Sequence, residues 1–250
     1  MNNPGMIEAQ PGADWHDLQE RVATILSESG LAAEVSRSLQ LARGTVEVDV
    51  YATDPTTTPP AVYLCECKRW RSRVPQAEVQ AFRTIVSDAG AHFGLFISAT
   101  GFQVGAFRVV EHTNVHLLGW QEFQSLFLER WCRTFWVPTL RTRGDRLAGY
   151  VDPVSSDAAV REAHGERLEP AEALGLFVHG MWGHPFNNML AAMYGRPNEP
   201  VAQAIWDRRN KYRAYLPKPV ADAESLRELL VAMLTFTTQW ERETGRRSGA

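Results

Sequence analysis

Asp49, Glu66 and Lys68 are the residues whose types and placement point most directly to chemistry. Asp49 lies in the run Thr45–Tyr51, where Val46, Val48 and Val50 alternate with Glu47 and Asp49, the mark of a half-buried strand. Glu66 and Lys68 fall near the end of a second β-favouring run, Ala61–Lys68. Side chains alternate along a strand, so these two share one face while Cys65 and Cys67 share the other. The Thr- and Pro-rich segment 53–60 between the runs predicts a turn, and its brevity favours an antiparallel hairpin. With Asp49 opposite Glu66, two carboxylates and one ammonium converge on the same stretch of sheet. Carboxylates that close repel, and one takes up a proton unless a cation intervenes. Magnesium, which prefers oxygen ligands and keeps several waters, removes the conflict. It also polarises a phosphodiester oxygen and acidifies a bound water, which Lys68 is placed to orient or deprotonate. The ordinary alternative is a cross-strand Glu66–Lys68 ion pair, which stabilises little and leaves Asp49 without a role.

The elements that must position these residues are legible from periodicity. Asp14 is a candidate N-cap for a helix in which Trp15, Leu18, Val22, Ile25 and Leu26 recur at helical spacing, ended by Gly30. Residues 33–41 are ambiguous and compatible with a short first strand. Pro75 opens a helix bearing Val79, Phe82, Ile85 and Val86 on one stripe. The continuous apolar run Phe93–Ser98 reads as a buried strand covered on both faces. A turn at Thr100-Gly101 leads into a helix reaching about Glu111, then a short strand at Val115–Leu118 and a helix over Gln121–Trp131. The order α-β-β-β-α-β-α-β-α specifies an α/β fold with a mixed sheet flanked by helices.

Taken together these pieces resemble the restriction-endonuclease-like superfamily of nucleases. Asp49 followed by Glu66-Cys67-Lys68 matches its D…(D/E)-x-K signature. The Mrr-like branch is the nearer likeness, through the first helix, Val48-Asp49-Val50, Glu66-Cys67-Lys68 with Arg69-Trp70, the Phe93–Ser98 strand and the Thr100-Gly101-Phe102 turn. The likeness covers about residues 14–131. It implies a metal-dependent endodeoxyribonuclease using Mg²⁺ or Mn²⁺, in the setting of restriction or phage defence. Asp49, Glu66 and the Cys67 backbone carbonyl would bind the metal, and Lys68 would serve the attacking water. It also implies a helix acid acting on the metal through water. Glu20 is the candidate, although the family's aromatic–acid register falls on Gln19. Gln80 resembles a family glutamine near the site.

The rest of the chain bounds the reading. Hydrophobic residues at 44% and charged residues at 22% describe an ordinary globular protein. No run approaches the apolar length of a membrane helix, and Met1–Asp14 lacks the features of a secretory signal, so the expectation is a cytoplasmic protein without a membrane partner. A net charge of −3 does not advertise a nucleic-acid binder. Two arginine clusters nevertheless offer a basic stripe: Lys68, Arg69, Arg71, Arg73 and Arg83, and Arg130, Arg133, Arg141, Arg143 and Arg146. Of these, Arg69, Arg71 and Arg73 are the candidate DNA contacts. Cys65, Cys67 and Cys132 lack the spaced partners of a zinc site. His92, His112, His116, His164, His179 and His184 fit no compact ligand set either.

Residues 1–13 read as a loose tail, 14–137 as the nuclease-like domain, 138–150 as a linker and 151–250 as a helical module with helices over 170–193, 200–215 and 221–243. Trp182, Phe186, Tyr194 and Trp206 suit core packing there. That module would serve recognition, assembly or binding to another protein, and a homodimer would bring two sites to one duplex. The competing function is a nuclease fold that binds DNA or a protein without cutting.

Overall fold

The computed structural model describes residues 6–142, 161–182 and 200–244, the side chains of residues 180–182 aside. Arg143, Arg146, His184, Phe186, Tyr194, the Trp182 side chain, most of the expected linker, the second half of the expected 170–193 helix and the end from Gly245 lie outside them. The chain divides into two compact units, Gln10–Trp131 and a second made of Met1–Ala9 with Cys132–Ala250.

The first unit is a five-stranded mixed sheet with helices on both faces. Its elements are α1 (Trp15–Glu28), β1 (Ala32–Leu41), β2 (Gly44–Asp54), β3 (Ala61–Lys68), α2 (Gln76–Asp88), β4 (Phe93–Ser98), α3 (Val104–Val110), β5 (Val115–Gly119) and α4 (Trp120–Trp131). The strands lie in chain order; β1, β2 and β3 are antiparallel, and β3, β4 and β5 are parallel. Residues 33–41, ambiguous by pattern, are part of a ten-residue strand that pairs with β2 along most of its length. Every second residue of β1 remains exposed, which is why its apolar signal is weak.

Local chemistry explains the boundaries. Asp14 accepts the Asp17 N–H at 2.9 Å and caps α1. The helix closes on Gly30, whose φ of 83° allows Gly30 N–H to reach Ser27 and Leu31 N–H to reach Leu26. β4 carries Gly94 because a Cβ there would stand 2.6 Å from the Val86 side chain of α2. With the glycine in place, Phe82 meets Phe96 edge-on at 5.3 Å, within a core shared by Leu64, Val79, Val86, Phe102 and Val115. α2 and α3 cover this face of the sheet. On the other face Cys65 and Cys67 are buried, and α1 and α4 pack there. Burial pushes both thiols up, so they remain protonated small hydrophobes.

One strand position departs from regularity. Ser36 has φ 53°, and it interrupts the β1–β2 ladder between the pairs Val35–Val50 and Arg37–Val48. The β2 residue left facing it is Asp49.

In the second unit the described helices are α5 (Pro170–Trp182), α6 (Val201–Tyr212), α7 (Lys218–Ala221) and α8 (Leu226–Thr244). A π-helical turn over Cys132–Trp136 precedes a helical stretch at 137–142, so the first residues expected as linker are helical instead. Pro138 accounts for the widened turn, because its ring excludes the carbonyl four residues back. Trp136, Val137 and Leu140 are buried, which holds the stretch. Of the residues expected as a loose tail, Met6, Ile7 and Glu8 are held in place. Met6 and Ile7 carbonyls accept the Leu226 and Arg227 N–H groups at 2.9 and 3.0 Å, and Glu8 accepts Arg227 Nε at 2.7 Å. These contacts give the first N–H groups of α8 the acceptors that no helical turn supplies. Trp136 Nε1 donates to the Leu226 carbonyl at 2.9 Å. Among the described residues no helix is long and apolar enough to cross a membrane.

Candidate active site

The β2–β3 ladder runs from Asp54–Ala61 to Val50–Cys65 and stops there. Continued one step, the same register would set Asp49 against Glu66, but that pair is not part of the ladder. Freed from pairing, the Asp49 carboxylate turns to the β3 backbone, and its Oδ2 accepts the Cys67 N–H at 2.7 Å. In an extended strand a residue's N–H and C=O project to the same side. The Cys67 carbonyl is therefore also directed toward the Asp49 strand, beyond the last ladder pair. Glu66 and Lys68 form an ion pair with each other, their side chains 19% and 20% exposed.

The electrostatics of this cluster are unfavourable to its own charges. Burial raises the pKa of Asp49, and Glu47 adds to the rise, against the lowering by Cys67 N–H, Lys68 and Gln19. Burial and the neighbouring Asp49 raise that of Glu66, against Lys68. For Lys68, burial alone would lower the pKa, but the carboxylates of Glu66, Asp49 and Glu78 outweigh it and the net shift is upward. Lys68 is thus held as an ammonium. In this metal-free state it suits orienting a water or neutralising charge.

Gln19 completes the cluster from α1. It is 3% exposed, its side chain hydrogen-bonds Asp49, and its Oε1 has no hydrogen-bond partner. These observations test whether a divalent cation suits the site. Two carboxylates charged only at a cost, a backbone carbonyl on the same side and a buried acceptor without a donor form an oxygen-rich set that a cation would satisfy. Among the described residues no group of three His, Cys, Asp or Glu side chains converges, so backbone and amide oxygens must supplement the two acids.

Residues 12–127 match the family model Mrr_cat, described as restriction endonuclease. Over that stretch the chain is similar to the Mrr-like restriction endonucleases. One solved structure, of a protein of unknown function designated AF1548, is 15% identical, covers 80% of this chain and 100% of that chain, and superposes with a TM-score of 0.40. No curated protein matches the chain.

Within the Mrr-like domain, two residues singled out from sequence stand away from the cluster. Glu20 is on the exposed side of α1, and Gln19 occupies the inward position. Helical spacing explains the correction. Val22, Ala23 and Leu26 lie three, four and seven residues after Gln19 and are all buried, whereas Thr24 and Ser27 stand four and seven after Glu20. The helix therefore presents an amide where a helix acid was expected. Gln80 is also exposed, and its backbone carbonyl accepts the Thr84 hydroxyl at 3.0 Å. The α2 residue whose charge reaches Glu66 and Lys68 is Glu78, which sequence reasoning missed. Its signal was Phe82, one helical turn later on the buried stripe.

Arg69, Arg71 and Arg73 are exposed on the loop between β3 and α2, next to Lys68. The second arginine cluster is different. Arg130 is spent on Asp54 and on the Ser29 carbonyl, the latter at 2.6 Å.

The raised Asp49 pKa has a measurable consequence. A carboxyl whose folded pKa lies above its unfolded value favours the native state while protonated, and native stability falls as pH rises from the unfolded value through the folded one. Asn keeps an oxygen for Cys67 N–H and carries no charge. Asp49→Asn is therefore expected to stabilise the metal-free chain at pH 7 by about 0.5–2 kcal/mol. The gain should shrink as pH falls toward 4, as measured by urea melts in EDTA. A variant less stable than wild type at pH 7 would show that Asp49 is a structural carboxylate.

Proposed function

We propose that the Mrr-like domain is a metal-dependent endodeoxyribonuclease that hydrolyses DNA phosphodiester bonds. The observation that carries this reading is the 2.7 Å hydrogen bond from Cys67 N–H to Asp49, which draws the acid of β2 against the Glu66-Cys67-Lys68 tripeptide of β3. Asp49, Glu66 and the Cys67 carbonyl would hold Mg²⁺ or Mn²⁺, with the Gln19 amide oxygen beside them. When bound, the ion supplies charge that polarises the scissile phosphate and acidifies a water. Lys68, fixed by Glu66, directs its ammonium at the reacting phosphate or the water beside it. Arg69, Arg71 and Arg73 bind the flanking phosphates. Within the family, these parts fit a restriction or phage-defence enzyme, and a pair of chains would cut both strands.

Supercoiled plasmid incubated with the full chain in Mg²⁺ or Mn²⁺ tests the reading. Nicked and linear DNA are expected from wild type and neither from Asp49→Ala. The same ions are expected to raise thermal stability, by about 2.7 kcal/mol at a hundredfold excess over the dissociation constant. Asp49→Ala should abolish this gain.

A second reading, a nuclease fold that binds without cutting, draws support from the amide of Gln19 in place of an acid. DNA binding by wild type with no product in either metal would favour it.

A further inference from the structure

The loop after the candidate active strand carries one large apolar side chain among its cations. Trp70 is 39% exposed, with Arg69, Arg71 and Arg73 exposed around it. More than a third of this residue stays open to solvent on a loop otherwise lined by charge, where an indole would normally gain by being covered. Its ring is not isolated from the site, since the Lys68 ammonium stands 5.7 Å from the ring centroid.

The loop is also held at both ends. The Lys68 carbonyl accepts Ala99 N–H at 3.0 Å, and the Ser72 carbonyl accepts the Thr100 hydroxyl at 3.0 Å. Val74, fully buried, donates to the Gly101 carbonyl and accepts from Gln103 N–H, each at 3.0 Å. Trp70 is thus presented on a backbone fixed against the turn after β4. An aromatic ring ordered before binding loses little entropy when it engages a ligand.

We propose that Trp70 is a stacking platform for an unpaired DNA base beside the phosphate that Lys68 faces, making DNA with unpaired nucleotides at the cutting position the preferred substrate. The identity of the polymer rests on the nuclease reading. The preference for unpaired bases rests on geometry. An indole stacks on the flat face of a base, and a B-form duplex hides those faces between neighbouring pairs. The surrounding arginines then serve the sugar–phosphate backbone without regard to sequence.

Binding measured in EDTA separates this proposal from the catalytic one. The probes are fluorescein-labelled oligonucleotides: a single strand, the same strand with one abasic site moved stepwise along it, and the matched duplex, all read by anisotropy with the full chain. Wild type is expected to bind the single strand about tenfold more tightly than Trp70→Ala does, with Trp70→Phe close to wild type. The two proteins should bind the duplex alike. One abasic position should weaken wild type by a similar factor and leave Trp70→Ala unaffected, a coupling that a merely structural tryptophan would not produce. Equal affinities of wild type and Trp70→Ala for the single strand would overturn the proposal, as would an abasic scan with no sensitive position. Plasmid cleavage without any Trp70 effect would leave the nuclease reading standing alone. Trp70-dependent binding without cleavage would leave only the stacking platform.

Discussion

Replacing Lys68 with Met is expected to slow plasmid nicking by about a hundred- to ten-thousandfold, the usual weight of a positioned group that handles the proton or charge of the reaction. Met preserves the length and apolar stem of lysine, so the change isolates the ammonium. The direction of the Lys68 shift sharpens the expectation. Its neighbours Glu66, Asp49 and Glu78 hold the ammonium above its ordinary value, despite the burial that opposes them. If the protonated form is the working form, the wild-type rate should show no loss assignable to Lys68 between pH 7 and 9. A rate that climbs through that range and flattens in Lys68→Met would mark lysine as the base instead, its proton having been displaced by the bound cation. Nicking by Lys68→Met at the wild-type rate would reduce the Glu66–Lys68 contact to a structural ion pair. Stability supplies an independent readout, because removal of the ammonium leaves Glu66, only 19% exposed, without its partner. The metal-free variant should therefore melt below wild type, whatever happens to cleavage.

The sequence carried the sheet and the Asp49–Glu66–Lys68 convergence through period-two alternation, a signal that survives because one face of β2 and half of β3 are buried. It did not carry the means of convergence. The ladder stops one residue before Asp49, Ser36 adopts φ 53° opposite it, and the Cys67 N–H fills the gap. No composition announces a backbone donor. The helix residue was misplaced for another reason: an acid was sought, and the buried spacing of Val22, Ala23 and Leu26 belonged to the amide next to it. Glu78 escaped because a half-buried glutamate in the first turn of a helix is commonplace, and only β3 beside it gives its charge a target. Charge clusters misled in one instance. Arg130 groups with other arginines in the chain, yet its guanidinium is spent internally on Asp54 and Ser29, a pairing 76 residues apart in sequence for the carboxylate. In the second unit, the N-terminal residues looked unstructured because their role is to supply backbone acceptors to Leu226 and Arg227, and any residue type supplies those.

That internal arginine leads to the largest stability effect expected outside the core. Asp54 is almost fully buried at the end of β2 and accepts from both terminal nitrogens of Arg130, with Thr56 adding its N–H at 3.0 Å and its hydroxyl at 2.6 Å. Arg130 also donates through Nε to the Ser29 carbonyl at the end of α1. One guanidinium thus ties α4 to the close of α1 and to the hairpin that delivers Asp49 and Glu66. The arginine holds the Asp54 carboxyl well below the usual carboxylate range. Arg130→Ala should cost about 3–5 kcal/mol, because it strands a buried carboxylate and an unpaired carbonyl together. A loss near the lower end shifts the melting temperature by on the order of 10 °C. The sign with pH is fixed by the lowered value: the pair's stabilisation is complete above the unfolded carboxylate pKa of about 3.9 and is lost as pH falls through the folded one. Wild type should therefore lose stability on acidification below about pH 4. Asp54→Asn, already weakened at neutral pH, should show a flatter acid limb, since it has no such proton to take up. Urea melts from pH 3 to 7 on the three chains would check both the size and the slope. An Arg130→Ala chain within 1 kcal/mol of wild type would mean that water replaces the guanidinium at little cost.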